Sequence, residues 1–358
     1  MRQRRRILVR LLLLGALAAV LLLRASSLAD GAAAGLRLCA RVLIPSLFPF
    51  FVLANLLIQT GAAALVSQAL ADRLAVWFSV PPCGLTALFL GLIGGYPIGA
   101  ATLCALYQEG SLPQEDAVRL LRFCNNSGPA FFLGAVGLGC FGSASVGLRI
   151  YFFHALSAIL IGLLLARPQL PHASAPDAKP PAARSFAPAF SAALTASVQS
   201  MLQICGLVIL FSALQTVALS LGLEKPLCRL LSACGLPDSA ALPLLRGAME
   251  MTSGIAALPS SLPLPLSAAL CAAICSFGGL CVFLQCAALL PPQLSLRGYL
   301  LAKLLQAVLT AALTLLSYRL APPAFLGFCV CLPFLATLPT KIRQKLKTAT
   351  GNSEKLPI

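Results

Sequence analysis

The sequence predicts an all-α polytopic membrane protein with about eight transmembrane crossings, two re-entrant hairpins and two inverted repeats. Three observations predict it. Only 10% of the 358 residues are charged and 59% are hydrophobic, whereas a soluble domain carries about 25% charged residues. Apolar stretches of roughly 20 residues, the length that crosses a bilayer, recur along the chain. Polar or Gly/Pro-rich interruptions break four of these stretches, at matching places in the two halves.

The elements follow in order. After MRQRRR, the apolar run from Ile7 to Leu23 reads as an uncleaved first span with Arg10 snorkelling to the cytoplasmic face; a cleaved signal peptide is the alternative. Residues 24–41 complete this unit (1–41) as an external loop. A first membrane repeat (42–166) comprises the run from Val42 to Gln59, an amphipathic piece around Ala71 to Phe78, and a run from Cys83 to Leu106 broken by GGYPIG. It continues with a polar helix from Gln108 to Arg122, a run from Leu120 to Phe141 broken by NNSGP, and an unbroken span from Val146 to Ala166. A Pro/Ala-rich linker (167–190) cannot bury a core. The second repeat (191–320) has the same plan: Leu194 to Leu223, an amphipathic piece from Pro226 to Cys234, a run broken at RGAMEMTSG, a run broken at SFGG, and a span from Tyr299 to Tyr318. A last span (321–340) and a basic tail (341–358) close the chain.

Charge sets the topology. The net charge of +16 comes from basic residues at the ends and between apolar runs, and no basic stretch is interleaved with aromatics. That excludes nucleic acid as a partner and fits cytoplasmic loops. If the first broken run of each half is a hairpin that does not cross, both termini and the linker fall in the cytoplasm, although Arg24, Arg37 and Arg41 then lie outside. Asp30, Asp72, Glu109, Glu115 and Asp116 read as solvated, and Lys303 as snorkelling from the end of its span. The 14 cysteines include no CxxC pair and read as small buried hydrophobes, and His154 and His172 form no metal or catalytic constellation. No cofactor is implied, and the absence of a nucleophile–base set argues against an enzyme. Association as a homo-oligomer is compatible with the composition.

The breaks carry the candidate site. Backbone that leaves the helix inside a bilayer must be covered by protein or reached by water. Gly94, Gly95 and Tyr96 of the first break, Asn125, Asn126 and Ser127 of the second, Thr252 and Ser253 of the third, and Ser276, Gly278 and Gly279 of the fourth are therefore expected around one substrate. Gln285 joins them, as interhelical glue or as a ligand. Glu250, a charge within an apolar run, should face the interior. It is expected either to pair with Arg246, one turn earlier, or to serve as a coupling-ion, proton or substrate acceptor, with Arg246 free to hold a substrate carboxylate.

These residues also carry a resemblance. PSLFPFFVLANLL (from Pro45), GGYPIGA (from Gly94), RFCNNSGPAFFLGAVG (from Arg122), EMTSG (from Glu250) and SFGGLCVFLQ (from Ser276) resemble the sporulation integral membrane protein YlbJ family, within the wider nucleoside-recognition, or Gate, domain group. The family pattern has Asn where this chain has Gly128 and Ser253. The resemblance implies a bacterial membrane protein of endospore formation, located in the membrane around the forespore, that moves the planar dianion dipicolinate. Helix N-termini, Arg246 and the Asn125–Asn126–Ser127 cluster would suit such a dianion. A nucleoside-like substrate and a non-transporting membrane scaffold for spore assembly stay open.

Overall fold

Every regular element of the computed structural model is helical, and the structure describes residues 2–62, 74–75, 77–166 and 185–319. The linker up to 184, the last span, the basic tail and most of the first amphipathic piece lie outside the described residues. The helices are α1 (Arg2–Leu23), α2 (Ala25–Leu38), α3 (Ile44–Gln59), α4 (Pro82–Gly94), α5 (Ile98–Gln108), α6 (Gln114–Cys124), α7 (Pro129–Phe131), α8 (Ala144–Leu164), α9 (Phe186–Ser220), α10 (Glu224–Ala233), α11 (Asp238–Met249), α12 (Met251–Ala256), α13 (Leu264–Phe277), α14 (Gly279–Leu289) and α15 (Tyr299–Ser317). Two stretches are π-helical: Cys39–Leu43, which joins α2 to α3, and Phe132–Cys140, which extends α7.

Among the described residues, α8, α9, the α13–α14 pair and α15 are long and apolar enough to cross a membrane; a fifth span results if α1 and α2, bent by 85° at their junction, count as one. The chain is a helical integral membrane protein. The expected external loop at residues 24–41 is helix instead. Gly31 and Gly35, one turn apart, give α2 a flat seam that lies on α9, so close that a Cβ on them would come within 2.7 Å of Ala213 Cα and 2.8 Å of Ile209 Cα. Small-residue seams of this kind draw helix backbones together in lipid.

The broken runs differ in how they continue. α4 packs against α5, and α11 against α12, as the legs of hairpins do. Each pair of legs meets at glycine. A Cβ on Gly91 would lie 3.0 Å from Gly99 Cα, and one on Gly254 would lie 2.4 Å from Gly247 Cα. The following broken run then docks on that seam. Cys124 O, at the end of α6, sits where side chains on Gly91 and Gly99 would go, and Gly279, at the start of α14, lies against Gly247 O and Met249 O. Both docks are made close by glycine: a seam that admits a carbonyl in the first, and a glycine laid on carbonyls in the second.

Apolar side chains fill the space around these seams. Leu85, Leu103, Leu120 and Phe123 form one buried cluster with α8, and Phe132, Ile150, Cys271 and Ile274 form another. Asp116, expected to be solvated, is buried and lies 2.5 Å from Arg119, which also donates to Phe78 O and Ser79 O. Burial without that partner would cost several kcal/mol. Asp30, Glu109 and Glu115 are exposed, as expected.

The seams predict a selective mutation. Gly91→Val would drive its Cβ to within 1.9 Å of Cys124 O, whereas the position of Gly15 has nothing within 4 Å. Gly91→Val should destabilise the fold by at least the roughly 1–3 kcal/mol typical of overpacking, and Gly15→Val should not. Size-exclusion profiles of detergent-extracted protein would show it: loss of the monodisperse peak for Gly91→Val alone is expected, and equal profiles would discount the seam.

Candidate functional site

The four breaks meet. Gly95, at the tip between α4 and α5, packs on Gly128, where an added Cβ would stand 2.8 Å from the Gly128 amide. Tyr96 donates its hydroxyl to Cys275 O at 3.5 Å, beside the break between α13 and α14. Ser127 Oγ lies 4.0 Å from Met251 Sδ, at the tip between α11 and α12. Local chemistry sets each break. Pro129 starts α7 and cannot continue a helix from upstream. Gly278 is left-handed (φ +79), a conformation that glycine adopts without strain.

A single imidazole ties the two halves together. His154 Nε2 accepts the Ser127 backbone N–H at 3.2 Å, so the ring proton is on Nδ1, which donates to Ser276 Oγ at 2.8 Å. The Ser276 hydroxyl donates to Thr310 Oγ1 (3.0 Å), and the Thr310 hydroxyl donates to Gln306 O (2.7 Å). The sequence reading found no constellation for His154. Its role is to bridge the second break to the fourth.

Lys303 does not snorkel. It is 1% exposed, and its ammonium donates to Asn125 O, to Asn126 Oδ1 at 3.2 Å and to Gln306 Oε1 at 2.9 Å. Gln306 Nε2 also donates to Asn126 Oδ1 at 2.9 Å, and Asn125 Nδ2 to Tyr299 Oη at 3.2 Å. The ammonium reaches carbonyls left open where α6 ends. Asn125 and Asn126 are consequently fully buried in this network, not on a cavity wall.

Glu250 and Arg246 do not pair. α11 ends at Met249: the Glu250 N–H still closes the last turn on Arg246 O at 2.9 Å, but Glu250 takes an extended conformation (φ −149, ψ 124) and its carboxylate goes to the next helix, off the shared face on which the expectation rested. Arg246 instead forms a two-pronged ion pair with Glu224, both contacts at 3.0 Å. Glu250 caps α12: Oε1 accepts Thr252 N–H (2.9 Å), and Oε2 accepts Ser253 N–H (2.8 Å), Ser253 Oγ (3.0 Å) and the Thr252 hydroxyl. The start of a helix stabilises a carboxylate there.

A cleft of about 540 Å³, counted with the open space at its mouth, lies among the breaks. Its polar wall is Gly94, Gly95, Tyr96, Ser127, Glu250, Thr252 and Gln285; Leu43, Leu47, Phe51, Phe131 and Ile204 supply apolar surface. Gln285 Oε1 is buried with no hydrogen-bond partner. A second space of about 780 Å³, lined by Ala135, Cys140 and Leu258, shares Leu43, Phe131 and Thr252 with the first. Of the expected site residues, Arg246, Asn125, Asn126, Ser253, Ser276, Gly278 and Gly279 do not line the cavity, although all but Arg246 belong to the breaks or the networks that frame it. Sequence reasoning missed Lys303, Gln306 and Thr310. Their spacing, repeated by Thr314, draws a polar stripe down one face of an apolar span, and all four are buried.

No family model matches the chain, and no solved structure matches it. Sporulation integral membrane protein YlbJ of Bacillus subtilis (strain 168) is 31% identical to it over 310 residues, which cover 80% of this chain and 76% of the relative.

The imidazole bridge predicts a stability effect. His154→Leu leaves the Ser127 amide without its acceptor and Ser276 Oγ without its donor, at about 1–3 kcal/mol for each orphaned group. An apparent Tm lowered by several degrees in detergent is expected, with a smaller drop for His154→Gln; an unchanged Tm for His154→Leu would remove the bridge from the account.

Proposed function

The chain belongs to the family of sporulation integral membrane protein YlbJ, and from that premise we propose that it carries a small polar organic molecule across the membrane around the forespore. The observation that carries the reading is the convergence of three helix breaks on one cavity, with the fourth bound to them through Tyr96 and His154. Interrupted helices paired between two halves, with half-helix ends at a central cavity, are the arrangement by which many carriers hold substrate. A scaffold has no need of such a cavity, and its lining would be free to close with leucine.

In the proposed topology α4–α5 and α11–α12 are re-entrant hairpins and about eight segments cross, so that the halves are inverted. The glycine contacts between the legs of both pairs support hairpins over straight spans. Dipicolinate, the substrate that the family resemblance implies, is flat and would lie between Phe51, Phe131 and Tyr96. A nucleoside-type substrate is the second reading, favoured by one observation: Glu250 and the unpartnered Gln285 Oε1 offer acceptors to hydroxyl or amino groups.

Two measurements test this. Proteoliposomes containing the purified chain should take up labelled dipicolinate faster than empty liposomes, and Ser127→Leu, which narrows the cavity, should cut the rate at least about tenfold. Uptake of nucleosides alone would select the second reading; uptake of neither, with correctly inserted protein, would leave the scaffold. For topology, a cysteine at Ala173 on a background without other reactive cysteines should resist an impermeant maleimide in intact cells and react after permeabilisation. Rapid labelling from outside would overturn the inverted arrangement.

A further inference from the structure

Of the two buried cations among the described residues, Arg119 has Asp116 at 2.5 Å, while no described carboxylate lies within ion-pairing distance of Lys303. Its three donors are spent on neutral oxygens of Asn125, Asn126 and Gln306. Beside it stand the faces of Tyr96 and Tyr299, with ring centres 5.4 and 5.9 Å from Nζ. Tyr96 is also a wall of the cavity. The ammonium is thus held about one ring away from the space where a ligand would sit, and its charge is left uncompensated in a medium of low dielectric. Arg246, expected to hold either Glu250 or a substrate carboxylate, is matched to Glu224 and does not line the cavity.

We infer that Lys303 is the residue that makes this cavity select an anion, acting through its field across the Tyr96 ring and not by a hydrogen bond to the ligand. The inference rests on the reading of the cavity as a substrate site. An ammonium buried among neutral partners is destabilised by its own burial, and an anion entering the cavity supplies the missing countercharge. Glu250 acts in the opposite sense. Its carboxylate is on the cavity wall and repels an anion, although four donors of its own helix start hold it in place. The two charges therefore predict substitution effects of opposite sign, which a purely structural part for Lys303 does not.

The test is a charge series on one ring: pyridine-2,6-dicarboxylate, pyridine-2-carboxylate and pyridine-2,6-dimethanol, which carry two, one and no negative charges at neutral pH. Their Kd values are measured calorimetrically with the purified full-length chain in detergent, so that transport is not needed for the readout. The wild type should bind the dicarboxylate tightest, with affinity falling on the order of tenfold per charge removed. Lys303→Met and Lys303→Gln should flatten that slope, Lys303→Arg should keep it, and Glu250→Gln should steepen it. Should Lys303→Met not fold, Lys303→Gln, which keeps hydrogen-bonding capacity, and Glu250→Gln still decide. A loss of affinity equal for all three ligands, or a wild type that binds the neutral diol as well as the dicarboxylate, overturns the inference. A charge-ordered series in a protein that transports none of the ligands would sink the dipicolinate-carrier reading and leave this one standing; no binding of any of the three would overturn this inference and the dipicolinate reading, and leave the nucleoside reading to its own uptake test.

Discussion

A backbone amide or carbonyl released from its helix inside a membrane must find a partner in the protein, because lipid offers none and each failure costs several kcal/mol. Four breaks release such groups here, and the interior is built around satisfying them. The Ser127 amide is taken by His154, the Asn125 carbonyl by Lys303, and the Thr252 and Ser253 amides by Glu250. Each of these side chains is expensive to bury alone. Each is tolerated because the break supplies the polar partner that it needs, so the ionisable residues and the breaks depend on one another.

That mutual dependence works only at close range, which explains the glycines. The Cys124 carbonyl can nest against α4 and α5 because Gly91 and Gly99 leave room for it, and Gly279 can lie on the carbonyls of Gly247 and Met249 because it has no side chain of its own. In each half, glycine brings the second broken run against the helix pair before it. His154 on α8 then spans from the first half to Ser276 of the second. Backbone proximity comes first, and the polar network is strung across it.

Much of this was legible in the sequence. GGYP, NNSGP, EMTSG and SFGG announced the breaks because Gly, Pro and Asn are poor helix residues in an apolar run. What was not legible depended on where helices stop. Arg246 and Glu250 share a helical face only if the helix continues through Glu250, and it stops at Met249. Glu224, the true partner of Arg246, stands 22 residues away on another helix. Lys303 looked like a residue free to snorkel because it is near the start of its span; the polar stripe formed by Gln306, Thr310 and Thr314 was the overlooked sign that this face looks inward. The helix at residues 25–38 was missed because its seam is a matter of small size, which hydropathy does not register.

The arrangement of charge also bears on how a ligand could be held. Lys303 and Glu250 have their hydrogen-bonding capacity largely met within the protein, although Lys303 meets only neutral oxygens, so a ligand of the proposed carrier need not break protein bonds to enter. What the cavity offers instead is shape between aromatic and aliphatic walls, a field from two opposed charges, and a few polar groups still open, above all Gln285 Oε1. A site of that kind binds by many weak terms. For a carrier this is an advantage, since a substrate must bind well enough to enter and weakly enough to leave on the other side. Charges whose hydrogen bonds are already met within the protein can choose the ligand by sign without gripping it.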